Sequence, residues 1–119
     1  MMKNNRSCGN VFEDIACNYL TNNGFTIIER NYRPSKIGEI DIILIKNNSI
    51  YFVEVKGRNS LAFGTPAEAV NKRKINKITQ VAKIYLQHCD INFQDINFMI
   101  IEILHQNNEY KINMIENAF

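Results

Sequence analysis

The sequence predicts an α/β domain, a mixed central β-sheet flanked by helices, in the order α-β-β-β-α-β-β. Apolar residues recur at helical spacing in two separated segments, one before residue 22 and one ending near residue 87. Between and after them stand strand-length runs rich in Ile, Val, Phe and Tyr, punctuated by the polar turns Asn47-Asn48 and HQNNE. A two-residue turn makes a hairpin antiparallel, whereas the connection through the second helix makes the strand after it parallel to a partner.

The first helix spans about Ser7 to Asn22, with Val11, Ile15, Ala16, Tyr19 and Leu20 as its apolar stripe and Gly24 as its stop. Glu13 and Asp14 lie off the centre of that stripe. Residues 25–32, FTIIERNY, form a strand. Residues 33–38, RPSKIG, are expected as a loop, because Pro34 disfavours helix at Arg33 and Gly38 permits unusual dihedrals. Two strands at 40–46 and 50–55 make the hairpin, and the polar stretch 57–66 connects it to the second helix.

Thr65-Pro66-Ala67-Glu68 is a capping box with proline at the first helical position, so a helix opens there. It breaks near Asn71 and continues to about Gln87. Its apolar face is Ile75, Ile78, Val81, Ala82, Tyr85 and Leu86, while Arg73, Lys77 and Gln80 look outward. Strands at 96–104 and 110–116 complete the chain.

At 119 residues the chain makes one domain, with its core over about 7–116. A composition 45% hydrophobic and 22% charged belongs to a globular protein and excludes intrinsic disorder. The net charge of +2 is too small to point to or away from nucleic acid. Cys8, Cys17 and Cys89 have no C-x-x-C spacing, which fits a reducing cytoplasm better than a disulfide framework or zinc site. The N-terminus has no apolar signal segment, and no apolar run approaches the roughly 20 residues of a membrane helix. No membrane partner is expected.

The hairpin holds charges where a core should be. Glu39, Asp41, Glu54 and Lys56 interrupt its apolar runs, and buried charges cost several kcal/mol unless paired or bound to metal. A type I′ turn at Asn47-Asn48 pairs Lys46 with Ser49, and by counting back Asp41 with Glu54 and Glu39 with Lys56. All four charges then share one face. Two carboxylates at about 5 Å repel by roughly 3 kcal/mol at an effective dielectric near 20. A divalent cation relieves this, and oxygen ligands with several waters suit Mg²⁺ or Mn²⁺. Lys56 beside it is placed to orient a water, which suggests phosphodiester hydrolysis. The plainer reading is a Glu–Lys ion pair next to a solvated Asp.

Asp41 followed by Glu54-Val55-Lys56 resembles the PD-(D/E)XK signature of restriction-endonuclease-like nucleases and Holliday-junction resolvases, with Ile40 in the proline's place. A wider set resembles the YraN-like family of small uncharacterised bacterial proteins within that superfamily. It comprises Gly9, Glu13 and Ala16, then Gly24-Phe25, Asn31-Tyr32-Arg33 and Gly38-Glu39-Ile40-Asp41. It continues through Phe52 to Lys56 with Arg58, then Phe63-Gly64 with Pro66, and the basic second helix with Ala82 and Tyr85-Leu86. The resemblance implies a restriction-endonuclease-like fold. It also implies Asp41 and Glu54 as metal ligands with the Val55 carbonyl, Lys56 as the catalytic lysine and Glu13 as an accessory acid. Where the family has Arg-Phe-Asp in its fourth strand, this chain has Asn97-Phe98-Met99.

Other residues have two readings each. Glu13 is either catalytic or a solvated helix acid. Glu39 is expected to support Lys56 rather than to hold metal. Arg33, Arg58, Arg73 and Lys77 suit a phosphate-binding rim, which carries affinity without sequence choice. Tyr32 is a base-stacking candidate or a core aromatic. Resolvase-like relatives often act as dimers, and the tail residues Ile112, Met114, Ile115 and Phe119 suit either a homodimer interface or closure of the sheet. Three functions follow: a Mg²⁺-dependent endonuclease acting on branched or flapped DNA, a non-catalytic nucleic-acid-binding module of the same fold, or an interaction protein whose charges form an ion pair.

Overall fold

The structure, a computed structural model, describes residues 7–59 and 72–116, with side chains from residue 11 onward. Its elements are α1 (Ser7–Asn22), β1 (Thr26–Ser35), β2 (Gly38–Lys46), β3 (Ser49–Arg58), α2 (Lys72–Gln87), β4 (Asp95–Gln106) and β5 (Glu109–Glu116). The order is the expected one. The five strands form a single sheet in the order β1-β2-β3-β4-β5, antiparallel throughout except for the parallel β3–β4 pair that the α2 crossover creates. The capping box at 65–68 lies outside the described residues.

The strands run longer than expected, chiefly at β1. Residues 33–35 extend that strand instead of opening a loop, and the turn is confined to Lys36-Ile37. Pro34 is tolerated there because β1 is an edge strand, where a missing N–H takes nothing from a neighbour. Gly57 and Arg58, expected in the connection, are the last residues of β3 and pair with Ile103 and Leu104 of β4.

Each face of the sheet carries one helix. Toward α1 lie Ile42, Leu44, Val53, Met99, Ile101 and Ile103, packed with Ala16, Cys17, Leu20 and Phe25. Toward α2 lie Ile40, Ile43, Ile50 and Phe52, packed with Ile78, Val81 and Ala82. Both clusters are built from residues that are nearly or fully buried, so the two faces together supply the apolar burial that stabilises a chain of this size. The stripe of α1 is rotated from expectation: Val11 is exposed and Phe12 packs inward. On α2, Ile75 is only half-buried and stands outside the central cluster. Tyr32 is a core aromatic, edge-on to Tyr85 at 5.1 Å.

The hairpin register is as expected from Lys46↔Ser49 through Ile42↔Val53. The turn is not: only Asn47 of its pair takes a positive φ, of 57°, whereas type I′ requires two. That geometry is approached at the β4–β5 turn, where Asn107 and Asn108 have φ of 56° and 62°.

Beyond Ile42 the alternation of faces inverts. Ile42 and Leu44 face α1 and Ile43 faces α2, yet Ile40 also faces α2, where a regular strand would return it to α1. The same inversion crosses into β1. Arg30, opposite Ile42, reaches Asp14 of α1, while Tyr32, opposite Ile40, packs on α2. Between those two residues Asn31 sits at φ 53°, a left-handed conformation that Asn tolerates and that turns a strand as a bulge does. The expectation that Glu39, Asp41, Glu54 and Lys56 share one face of a regular ladder therefore fails at Asp41.

Gly57 shows how closely α1 approaches the end of β3. A Cβ there would overlap the ring of Phe12. Gly57→Ala should lower the unfolding free energy in urea by about 1–3 kcal/mol, and a Gly57→Ala/Phe12→Leu double variant should recover part of that loss.

Candidate active site

The site lies where β2 and β3 part. Their backbone ladder ends at Ile42↔Val53, and the next N–H of β3 on that edge, that of Val55, donates instead to the Asp41 carboxylate, Oδ2, at 2.8 Å. The inverted strand turns the Asp41 side chain into the gap and lets it stand in for a missing backbone carbonyl. Such a bond satisfies a buried N–H that would otherwise carry a full desolvation penalty.

Glu54 adjoins this contact from β3. Its side chain is 3% exposed, and its Oε2 receives Lys74 Nζ at 2.9 Å and Lys56 Nζ at 3.3 Å. Lys56 is two residues along β3 and shares the face of Glu54, whereas Lys74 comes from the first turn of α2. A carboxylate this deep requires such partners, because breaking a buried pair leaves a charge that costs several kcal/mol.

Two cavities meet at these carboxylates. One, of about 390 Å³, opens toward α1 and is lined by Phe12, Glu13, Asp41, Glu54, Val55, Lys56, Gly57 and Lys74. The other, of about 320 Å³, opens toward α2 and adds Lys36, Glu39 and Lys77 to the shared Asp41, Glu54 and Lys74. Burial pushes the Asp41 carboxyl up to about 8, and the negative charge of Glu54 adds to it; the Val55 N–H bond acts the other way, and Glu13 and Glu39 raise it further. For the Lys74 ammonium, burial works downward but is outweighed by the hydrogen bond and charge of Glu54, which hold it above the usual lysine value. Glu13 faces the first cavity from α1. Its Oε1 is buried without a hydrogen bond, although Arg30 Nη2 stands 3.6 Å away while bonding Asp14 at 2.9 Å.

The sequence candidates thus divide. Glu13, Asp41, Glu54, Val55 and Lys56 line one cavity together. Glu39 and Lys77 line the other. Arg33, Arg58 and Arg73 are not among the described residues lining either one. Glu39 does not pair with Lys56; the carboxylate partner of that lysine is Glu54, and Glu39 acts on Asp41 through its charge. In the stretch 97–99, Met99 is fully buried toward α1 and Phe98 packs against Phe52 toward α2. Lys74 was not among the expected site residues. The signal for it was present, because Lys74 precedes Ile78, Val81, Ala82 and Tyr85 at intervals of four, seven, eight and eleven residues, on the apolar stripe itself.

Fold and site define a mixed α/β domain whose sheet is split around a buried carboxylate pair and two lysines. The chain belongs to the family described as Uncharacterised protein family UPF0102, which matches residues 12–111, so the family resemblance read from the motifs holds. It is 48% identical over 117 residues to a UPF0102 protein of Alkaliphilus oremlandii, covering 97% of this chain and 99% of the relative. It is 45% identical over 116 residues to one of Clostridioides difficile, covering 98% and 99%. A third, from Syntrophomonas wolfei, is 42% identical over 115 residues, covering 97% and 99%. Among the described residues no helix is long and apolar enough to cross a membrane.

The Asp41 shift has a direct consequence for stability. The folded protein keeps this proton until about pH 8, whereas the unfolded chain releases it near 3.8. Across that window the folded state binds more protons, so this group's contribution makes stability fall as pH rises and level off above the folded value. Asp41→Asn keeps an acceptor for Val55 and removes the charge. In urea denaturation with a chelator present, it should exceed the parent by on the order of 2 kcal/mol above about pH 8, less than the full linkage because water reaches the cleft, and match it near pH 4.

Proposed function

We propose that this protein is a metal-dependent endonuclease that hydrolyses phosphodiester bonds in DNA, with branched or flapped structures as substrates. The observation that carries this reading is the convergence of Asp41, Glu54 and Lys56 on one cavity in the gap between β2 and β3. A purely structural role would favour apolar residues there, since replacing a buried ion pair by well-packed hydrophobic groups is often neutral or stabilising.

The donor chemistry fits Mg²⁺ or Mn²⁺. Among the described residues no group of three His, Cys, Asp or Glu side chains is placed to hold a metal. Asp41 and Glu54 are two hard oxygen donors on an open cavity, which suits a cation that binds through one or two carboxylates and keeps several waters. Burial, and then the charge of Glu54, make ionised Asp41 costly without a cation beside it. Asp41, Glu54 and the Val55 carbonyl would hold the cation, and its chemistry is Lewis-acid neutralisation of the charge that builds on the phosphate.

The remaining work falls to side chains. The Val55 N–H fixes the Asp41 carboxylate against the sheet, so its second oxygen is oriented before substrate arrives. Lys56 donates to a water on the cavity wall and fixes its oxygen in line with the scissile phosphorus. Glu13 offers an acceptor for a proton of that water from the α1 side. Glu39 adds negative charge beside Asp41. On the α2 side Lys36 and Lys77 take phosphates of the strand, with Arg33, Arg58 and Arg73 as more distant positioning contacts. The same reading places the protein in the cytoplasm and pairs two copies where two strands are cut.

One observation favours a second reading, a non-catalytic nucleic-acid-binding module. Glu54 is already neutralised by two lysines without any cation. Salt-dependent DNA binding with neither cleavage nor metal binding would select it.

The test is incubation with duplex, flap and junction DNAs in Mg²⁺ or Mn²⁺ against a chelator control. The parent should cleave only with metal, and Asp41→Ala and Lys56→Ala should each lose about 100-fold or more in rate. Cleavage that persists in both variants would remove the assignment.

A further inference from the structure

Lys74 does something that neither the family resemblance nor the hairpin signature assigns. It occupies the apolar stripe of α2, with its side chain 41% exposed and its ammonium 2.9 Å from Glu54 Oε2. Lys56 contacts the same oxygen at 3.3 Å. Two ammonium groups on one carboxylate oxygen repel each other, and a buried Glu54 needs at least one of them. A divalent cation at Asp41 and Glu54 would bring a third positive centre to this place.

One lysine then has to yield, and the two differ in exposure and in the element that carries them. Lys56 is carried by β3, two residues from Glu54 on the same strand face, with its side chain 25% exposed. Lys74 projects from the first turn of α2, is the more exposed, and borders both cavities. Its flexible stem lets the ammonium swing toward the cavity that Lys36 and Lys77 line.

We propose that Lys74 is a tethered counter-ion of Glu54 that a divalent cation must displace, so that this side chain sets the metal affinity of the site. The proposal rests on the metal-binding reading above. It makes Lys74 a positioning residue: it pairs with the buried Glu54 side chain and holds it oriented until the cation arrives.

Calorimetric titration with Mg²⁺ and with Mn²⁺, without nucleic acid, tests this. Lys74→Met should bind each cation about tenfold more tightly than the parent, because the competitor is gone. Lys74→Arg, which keeps a cation on Glu54, should return to within about threefold of the parent. Lys83→Met, which removes an exposed charge from the same helix, should change affinity by less than about twofold. Unchanged or weaker binding by Lys74→Met overturns the proposal, as does equal tightening by Lys83→Met. A parent chain that binds neither cation overturns the metal-dependent reading itself, a distinguishable result.

Should Lys74→Met fail to fold, the parent chain decides by NMR. The Lys74 ammonium signal, protected by Glu54 in chelator, should be lost to solvent exchange at saturating Mg²⁺ while that of Lys56 persists. Retention of the Lys74 signal at saturation overturns the displacement.

Discussion

Where β2 turns away from β3, a strand N–H is left without a backbone acceptor, and the Asp41 carboxylate takes that place. Much of the molecule is arranged around this exchange. It requires the inversion of faces between Ile40 and Ile42, which in turn requires β1 to turn at Asn31 so that Tyr32 follows Ile40 toward α2. The inversion opens a gap in an otherwise continuous sheet. Glu54 sits beside that gap with almost no exposure, and the sheet tolerates it because Lys56 and Lys74 converge on one of its oxygens.

The two helices do more than cover the sheet. α1 brings Phe12 onto Gly57 and Glu13 to one mouth of the gap; α2 brings Lys77 to the other and Lys74 to both. Beyond the shared Asp41, Glu54 and Lys74, the α1-side opening is bordered by Phe12, Glu13 and Lys56, and the α2-side opening by Lys36, Lys77 and Glu39. Membership of an uncharacterised family supplies no activity by itself, so the functional reading rests on this geometry and its charges.

Much of the candidate site was legible because its pieces are local. Asp41, Glu54 and Lys56 stand out as charges in strands of apolar residues, and a two-residue turn fixes the hairpin register as far as Ile42↔Val53, one residue short of Asp41. Lys74 was equally visible as a basic residue on an apolar helical stripe, but its meaning depended on which face of the sheet α2 would cover. The expected pairing of Glu39 with Lys56 went the other way for a related reason. It assumed a regular ladder through Asp41, and the bend that breaks the ladder is shared with β1, which no count along the hairpin includes.

The sequence by itself determined the order of elements, the register from Lys46↔Ser49 to Ile42↔Val53, and the residues around which a site would form. Those follow from periodicity, turn chemistry and the cost of burying charge, all of which act over a few residues. Only the tertiary structure decided that α1 presents Phe12 rather than Val11, that Pro34 can stay in a strand because β1 is an edge, and that Arg33, Arg58 and Arg73 stand apart from both cavities. It also decided that Glu54 is held by two lysines from two different elements. These outcomes depend on which surfaces meet, and that is settled by packing between segments far apart in the chain.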